Sequence, residues 1–514
     1  MPLIAWLGGC LALALAAGGA QESVITLNQA LRYTLVNNFD VALERLNVES
    51  AQADLDVAAS EFDPSLEASL FTRSNRSPAS SVFSDPEINE SDSLTGAVGI
   101  AGRTSFGSSY SLGVETGQSQ TNSTFQSIDP AYESALKLEL TQPILRDAGW
   151  EVNTWKLTAG AANSAIAESR LRASLIRAAG DTIEAYWELV FAMENVQTQR
   201  ELLEWSRQFE NMIQAKVAAG VLAPIDIIQA QASTASAEEQ VVSAESELDR
   251  RADILLKLMN PGMESRLWKA QLIPVPMPAK PPPAPEMRDY TTVAGEKRPE
   301  LAMARKEVES RKAELAYHDN QRLPALEAVA SLRLNGLRGE AQPVVDVTTG
   351  ETKISQLEGS AGDSMSDSAS GKYYDYSLGL RLTWPLGGRG PEGRYAKSAR
   401  QTESAVIKLR ELEKSVAMEA RNARREVDNA AKRFQAASVA RDLAEKKLEA
   451  EMKKFAAGAS TLFQAVEYRK ELATQRGREL RAVADCLIAQ ARLDRATGET
   501  LEANSLTLEP GGKR

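Results

Sequence analysis

Few side chains in this 514-residue chain could do covalent chemistry. There is one histidine, His318, and there are two cysteines, Cys10 and Cys486. A metal centre needs several convergent ligands. His318 stands alone near the end of a predicted helix, so it reads as a surface histidine and no metal site is expected. No nucleophile–base pair, phosphate-binding loop or Cys/His cluster is visible. The chain is therefore expected to carry no cofactor and not to be an enzyme. The net charge of −11 argues against general nucleic-acid binding, which needs a basic face. If the first residues are removed, Cys486 is left alone and no intrachain disulfide can form. What the chain does offer is two sharp reversals, Ala219-Gly220-Val221-Leu222-Ala223-Pro224 and Ala457-Gly458-Ala459-Ser460-Thr461. Gly220 and Gly458 suit a turn that needs positive φ.

These reversals sit in a repeat written twice, and a duplication this long sets the architecture. Each copy opens with Leu-Thr-x-Pro, at 140–143 and 382–385, and runs through an Ala-rich segment with no proline near its centre. In the first copy apolar residues fall at Leu171, Leu175, Ala179, Ile183, Tyr186, Val190, Met193 and Val196. In the second they include Leu409, Leu412, Val416, Ala420, Val427, Phe434, Leu448 and Phe455. Steps of three and four place them on one stripe of a helix. The spacing predicts long helices over 150–218 and 392–456, each about 100 Å at the α-helical rise. Shorter helices follow over 225–259 and 462–496. Helical runs precede the strands over 27–61, closed by Pro64, and 292–321, closed by Pro324.

Between these helices the period shortens to two. Strands are expected over 66–73, 95–102, 110–116 and 134–141 in the first repeat, and over 326–334 and 376–384 in the second. Polar loops are expected at 74–92 and 117–130, with a Gly/Ser/Asp-rich excursion over 335–372. Weakly alternating segments of about ten residues with long polar loops fit transmembrane β-strands. Tyr132, Tyr373, Tyr374, Tyr376 and Trp384 are candidate interfacial aromatics. Alternation alone fits a small soluble sheet equally well. The apolar run from Leu3 to Ala17 reads as a signal peptide ending at residue 20, although no Lys or Arg precedes it. Leu7-Gly8-Gly9-Cys10 looks like a lipoprotein box, but Cys10 is better read as part of the apolar run. The expected organisation is a signal peptide (1–20), a first repeat (21–271), a Pro-rich linker (272–288), a second repeat (289–498) and a disordered tail (499–514).

In this order, and doubled, the features resemble the outer-membrane factor family, the TolC-like channels of Gram-negative export systems. The marks are the Pro-closed first helix, Leu-Thr-Gln-Pro-Ile-Leu-Arg-Asp-Ala-Gly at 140–149, and the tip Ala-Ala-Gly-x-x-x-x-x-Asp ending at Asp226. The resemblance implies a mainly α fold with β, in the outer membrane with a long periplasmic extension. It implies a homotrimer in which each protomer gives four strands to a twelve-stranded barrel and its helices to an α-barrel. It implies a passive duct for a tripartite efflux or type I secretion system, fed by an inner-membrane transporter through a periplasmic adaptor. The adaptor would dock at Gly220, Val221, Leu222, Asp226, Gly458, Ala459, Ser460 and Thr461. Family members place two acids that ring the entrance at the positions of Gln464 and Glu467, and only Glu467 keeps its charge here. An Arg or Tyr latch to the acid at Asp226 would fall at Ser460 and Phe455, so closure is expected to use Phe455, Leu462 and Phe463 instead. The residues 95–102 and 110–116 depart from the pattern, as an extra hairpin in an outer loop or as a source of barrel strand. The alternative is a periplasmic coiled-coil scaffold or adaptor with no channel.

Overall fold

The computed structural model describes residues 22–78, 87–283, 288–345 and 350–506. The expected leader, with Cys10, and the chain from 507 onward lie outside the described residues.

The first half opens with β1 (Glu22–Ile25) and α1 (Leu27–Asn37). Thr26 caps α1: its hydroxyl accepts from Gln29 N at 3.2 Å, and Thr26 N donates back to the Gln29 side chain at 3.0 Å. The single helix expected over 27–61 is two. Asn38 leaves the helix at φ −64°, ψ 130°, and its Oδ1 accepts from Asp40 N and Val41 N to start α2 (Phe39–Ala59). Four strands follow: β2 (Ser65–Pro78), β3 (Ile88–Arg103), β4 (Ser109–Thr121) and β5 (Ile128–Pro143). They extend well into the expected polar loops. One helical turn, α3 (Trp150–Asn153), precedes the long α4 (Trp155–Ala218) and its return α5 (Ile225–Met259). The half ends in β6 (Gln271–Pro274).

The second half repeats the plan. A break at Arg298, ahead of Pro299, divides α6 (Tyr290–Lys297) from α7 (Pro299–Asn320). Proline disfavours the helical conformation of the residue before it. Then come β7 (Ala325–Ala341), the small pair β8 (Val344–Val345) and β9 (Thr352–Lys353), α8 (Ala361–Ser370) and β10 (Tyr373–Thr383). The long α9 (Arg389–Ala456), its return α10 (Leu462–Thr497) and a last turn, α11 (Thr500–Ala503), complete it.

The chain divides into two compact units. One takes Met1–Asn47, Glu168–Ala302 and Glu411–Arg514. Its core gathers Tyr186, Leu189, Val190, Leu255 and Met259 around Ala30 and Leu272. β1 and β6 pair in parallel, so the head of the expected linker is a strand. Tyr186 clamps that pair: Val275 N donates to its hydroxyl at 3.1 Å, and the hydroxyl reaches Ile25 O at 3.3 Å. The expected tail is ordered as far as 506. Thr500 and Leu501 are buried, and Glu499 pairs with Arg288 and, at 3.1 Å, with Lys297.

Asp494 lies in the same region. Burial pushes its carboxyl up to about 6; the Gln490 hydrogen bond opposes this, and the Glu499 charge adds to it. A carboxyl held above its ordinary value costs nothing below pH 4 and carries its full cost above pH 6, so stability falls as pH rises through that window. Two pH units correspond to about 3 kcal/mol. Asp494→Asn is expected to raise the thermal midpoint at pH 7.5 and leave it unchanged at pH 4, as read by circular dichroism at both pH values.

The second unit takes Val48–Ala167 and Met303–Arg410. It holds one six-stranded antiparallel sheet in the order β10-β7-β5-β4-β3-β2. The resemblance implies four strands; the sheet has six. β3 and β4 keep the period-two alternation of their neighbours, so they extend the ladder rather than leave it. His318 is also in this unit. It is largely covered, 3.8 Å from Glu314 and beside the Tyr317 ring, rather than at the surface as expected.

Candidate functional site

Both helix reversals have the same geometry. At the first, Gly220 takes φ +72°, Gly220 N donates to Val217 O at 3.0 Å, and Val221 N donates to Lys216 O at 2.9 Å. At the second, Gly458 takes φ +74°, Gly458 N donates to Phe455 O at 3.1 Å, and Ala459 N donates to Lys454 O at 2.9 Å. This is a Schellman closure, in which a left-handed residue satisfies the last carbonyls of a helix. Glycine meets that conformation without a Cβ penalty. Asp226 does local work, with Oδ2 accepting from Ala223 N at 3.1 Å to start α5. Thr461 caps α10 through Gln464 N at 3.4 Å. Ser460 Oγ meets Gln464 Oε1 at 2.9 Å and also the Glu451 carboxylate.

The expected entrance residues divide. Glu467 and Gln464 are exposed, and Glu467 makes no ion pair among the described residues. Phe463 is 57% exposed. Phe455 departs from the expectation. It is only 8% exposed and packs with Phe209, Ile213, Ala230, Ala465 and Val466. Its ring lies 5.7 Å from that of Phe209, and Lys216 Nζ sits 4.6 Å above it. Phe455 therefore belongs to the core of the tip, where it cannot line an opening. The side chain of Leu462 lies outside the described residues. Around the first turn Val221 is 69% exposed, Ile225 65% and Ile228 62%. Apolar side chains gathered at an exposed tip mark an interaction surface. Leu222 is half-buried behind them, and Ala459 is exposed at the other turn.

Sequence reasoning missed Glu451, 6% exposed and 3.7 Å from Lys454. Nothing in its spacing separates it from the solvated charges around it on α9.

The sheet in the other unit has two unlike faces. Directly opposed residues in an antiparallel pair point to the same side. One row runs Leu66, Ile100, Leu112, Leu138, Leu332, Tyr376, across all six strands. The next runs Ala68, Val98, Val114, Leu136, Leu334, Tyr374. Most of these side chains are exposed. The opposite face carries Glu67, Glu115, Lys137, Arg333, Asp375 and Arg381, with Lys137 paired to Glu115. An apolar outer face over a polar inner one is the pattern of a transmembrane β-wall. Among the described residues no helix is long and apolar enough to cross a membrane.

The profile of the outer membrane efflux protein family matches residues 30–260 and again 292–499, one stretch for each repeat. The chain belongs to the outer membrane efflux protein family. It is thus an outer-membrane protein of an efflux-channel family, with the TolC-like, internally duplicated fold. Solved structures share that fold. The efflux protein superposes on the outer-membrane channel OprN with a TM-score of 0.63 at 14% identity, over 92% of this chain and 89% of that one. With the CmeC outer membrane channel of Campylobacter jejuni the TM-score is 0.64 at 16% identity, over 97% and 94%. With the open-state MtrE outer membrane channel of Neisseria gonorrhoeae it is 0.60 at 15%, over 92% and 89%. Among curated protein sequences nothing matches the efflux protein.

Proposed function

We propose that this efflux protein is the passive exit duct of a tripartite efflux or type I secretion assembly. It works as a homotrimer without enzymatic activity, and its helix tips receive a periplasmic adaptor fed by an inner-membrane transporter. The observation that carries the reading is the twofold tip. In both repeats the long helix ends in the same tight Schellman reversal, and Val221, Ile225, Ile228 and Phe463 leave apolar surface there that a monomer has no use for. On this reading Gly220, Gly458 and Asp226 hold the docking turns in shape. Val221, Ala459 and Thr461 present surface to the adaptor, with Leu222 and Ser460 supporting them. Glu467 contributes one carboxylate per copy to an entrance ring, which attracts cations. A periplasmic scaffold would have no use for a sheet with an apolar outer face.

The test is conductance of the purified trimer in a planar bilayer, wild type beside Glu467→Gln and Glu467→Ala. Cation-selective current is expected, with selectivity reduced in both variants. Unchanged selectivity removes Glu467 from the entrance. A protein that neither inserts nor forms trimers overturns the duct.

A further inference from the structure

The β3–β4 hairpin has no counterpart in a protomer of four strands, and its placement decides what it does. It does not hang from the sheet. It lies between β2 and β5, in register with β2 from Ser65↔Ala101 to Pro78↔Ile88 and with β5 from Ser109↔Thr141 to Ser119↔Ala131. Without it, β2 has no partner in the sheet.

The hairpin also crosses the full height of the sheet. Its turn, at 104–108, is fastened at the end where the helices begin. Gly149 N donates to Phe106 O at 3.3 Å, and the Phe106 ring meets the Trp150 ring edge-on at 6.0 Å. Gly107, at φ +94°, lies so close to Asp147 O that a Cβ would overlap it. A flap confined to the outer loops would turn at the other end. β3 and β4 are 16 and 13 residues long, and a tilted strand needs about 9–11 to cross a membrane. Short turns on the helix side and longer loops opposite are the arrangement of outer-membrane barrels. Both apolar rows pass through the hairpin unbroken, at Ile100 and Leu112 and at Val98 and Val114.

We propose that the β3–β4 hairpin is membrane wall, so that each copy of this chain contributes six strands and the closed trimer has eighteen instead of twelve. The count rests on the homotrimeric duct reading; the lipid contact of the hairpin does not. β2 and β10 are the open edges of the sheet, and an open edge is not tolerated in lipid. In a sheet of six alternating strands the two edges run in opposite directions, so β2 of one copy meets β10 of the next and the ring stays antiparallel. Barrel diameter grows roughly linearly with strand number, which makes this lumen about 1.5-fold wider than one of twelve strands.

The experiment uses full-length protein in vesicles, in a Cys10→Ala, Cys486→Ala background, with single cysteines Val98→Cys, Val114→Cys and Leu332→Cys carrying an environment-sensitive fluorophore. Ala97→Cys reports the opposite face. Brominated acyl chains are expected to quench the labels at 98, 114 and 332 equally, while aqueous iodide reaches the label at 97 several-fold better. Lipid quenching at 332 with iodide quenching at 98 and 114 overturns the proposal and leaves a twelve-strand channel. Lipid quenching at none of the three overturns the membrane wall itself. Projection images of the unlabelled wild-type trimer read the same quantity without any substitution: a ring of twelve-strand diameter refutes the proposal, and one about 1.5-fold wider supports it.

Discussion

Leu378→Arg is expected to destabilise the inserted sheet by about 2–4 kcal/mol per protomer, and Ser377→Arg, one residue away, by far less. Leu378 lies on the apolar face, opposite Ala330, and Ser377 on the polar face, opposite Ser331. The same strand supplies Tyr374 and Tyr376 at one end, and Trp384 follows it directly at the other. The ten steps from 374 to 384 span roughly 33 Å along a strand, and roughly 25 Å of height at a tilt near 40°. That is the height of the apolar band between aromatic girdles in outer-membrane barrels. Leu378 sits near its middle, where an arginine has neither water nor a headgroup in reach. The polar face already carries Asp375 and Arg381, so one more cation there is solvated. Urea titration of protein folded into lipid vesicles reads the difference. Equal effects of the two substitutions would mean that the faces are not assigned as their pairing indicates.

The duplication and the helices were legible because their signals are local. A 3.6-residue period, a proline after each first helix and a glycine at each tip all act within a few residues of themselves. Neither break inside the first helical runs was anticipated: the run expected over 292–321 divides at Arg298, ahead of Pro299, and the matching break at Asn38 depends on a side chain capping the following turn. The number of strands in the sheet was not legible. Alternation over 95–102 and 110–116 is the same whether the hairpin lies in the sheet or above it, and only pairing with partners tens of residues away separates the two. β1 and β6 lie about 250 residues apart and carry no local mark at all. The residues after Gly498 read as a tail because a glycine commonly ends a helix. Leu501 and Thr500 are nonetheless buried, and the carboxylate of Glu499 is held by two cations of another segment.

The candidate site was legible in its turns and not in its packing. A helical stripe shows which residues share a face, but not whether that face meets water or another helix. Phe455 and Phe463 look alike in sequence, two aromatics flanking one tip. In the structure one is covered by α4 and α5, and the other is open to solvent.

That difference sets the last expectation. Truncating a buried phenylalanine costs about 3–5 kcal/mol, through lost transfer energy and the cavity left behind. Phe455→Ala removes the ring that touches Phe209 and takes the cation–π contact from Lys216. The tip lies at the ends of four helices, next to the small cluster of Ala444, Leu448 and Leu472 and apart from the core of Leu189 and Leu255, so the loss is expected as local opening rather than global unfolding. Amide exchange at 453–459 should rise by at least two orders of magnitude, while exchange at Leu189 and Leu255 stays slow. Phe455→Leu, which keeps most of the buried volume, should restore much of the protection. Phe463→Ala should leave exchange nearly unchanged, because its side chain is already in water. Were Phe455 a lumen residue, as its place in sequence suggests, the pattern would reverse: the alanine variant would pass more current, and the tip amides would remain as protected as in the wild type.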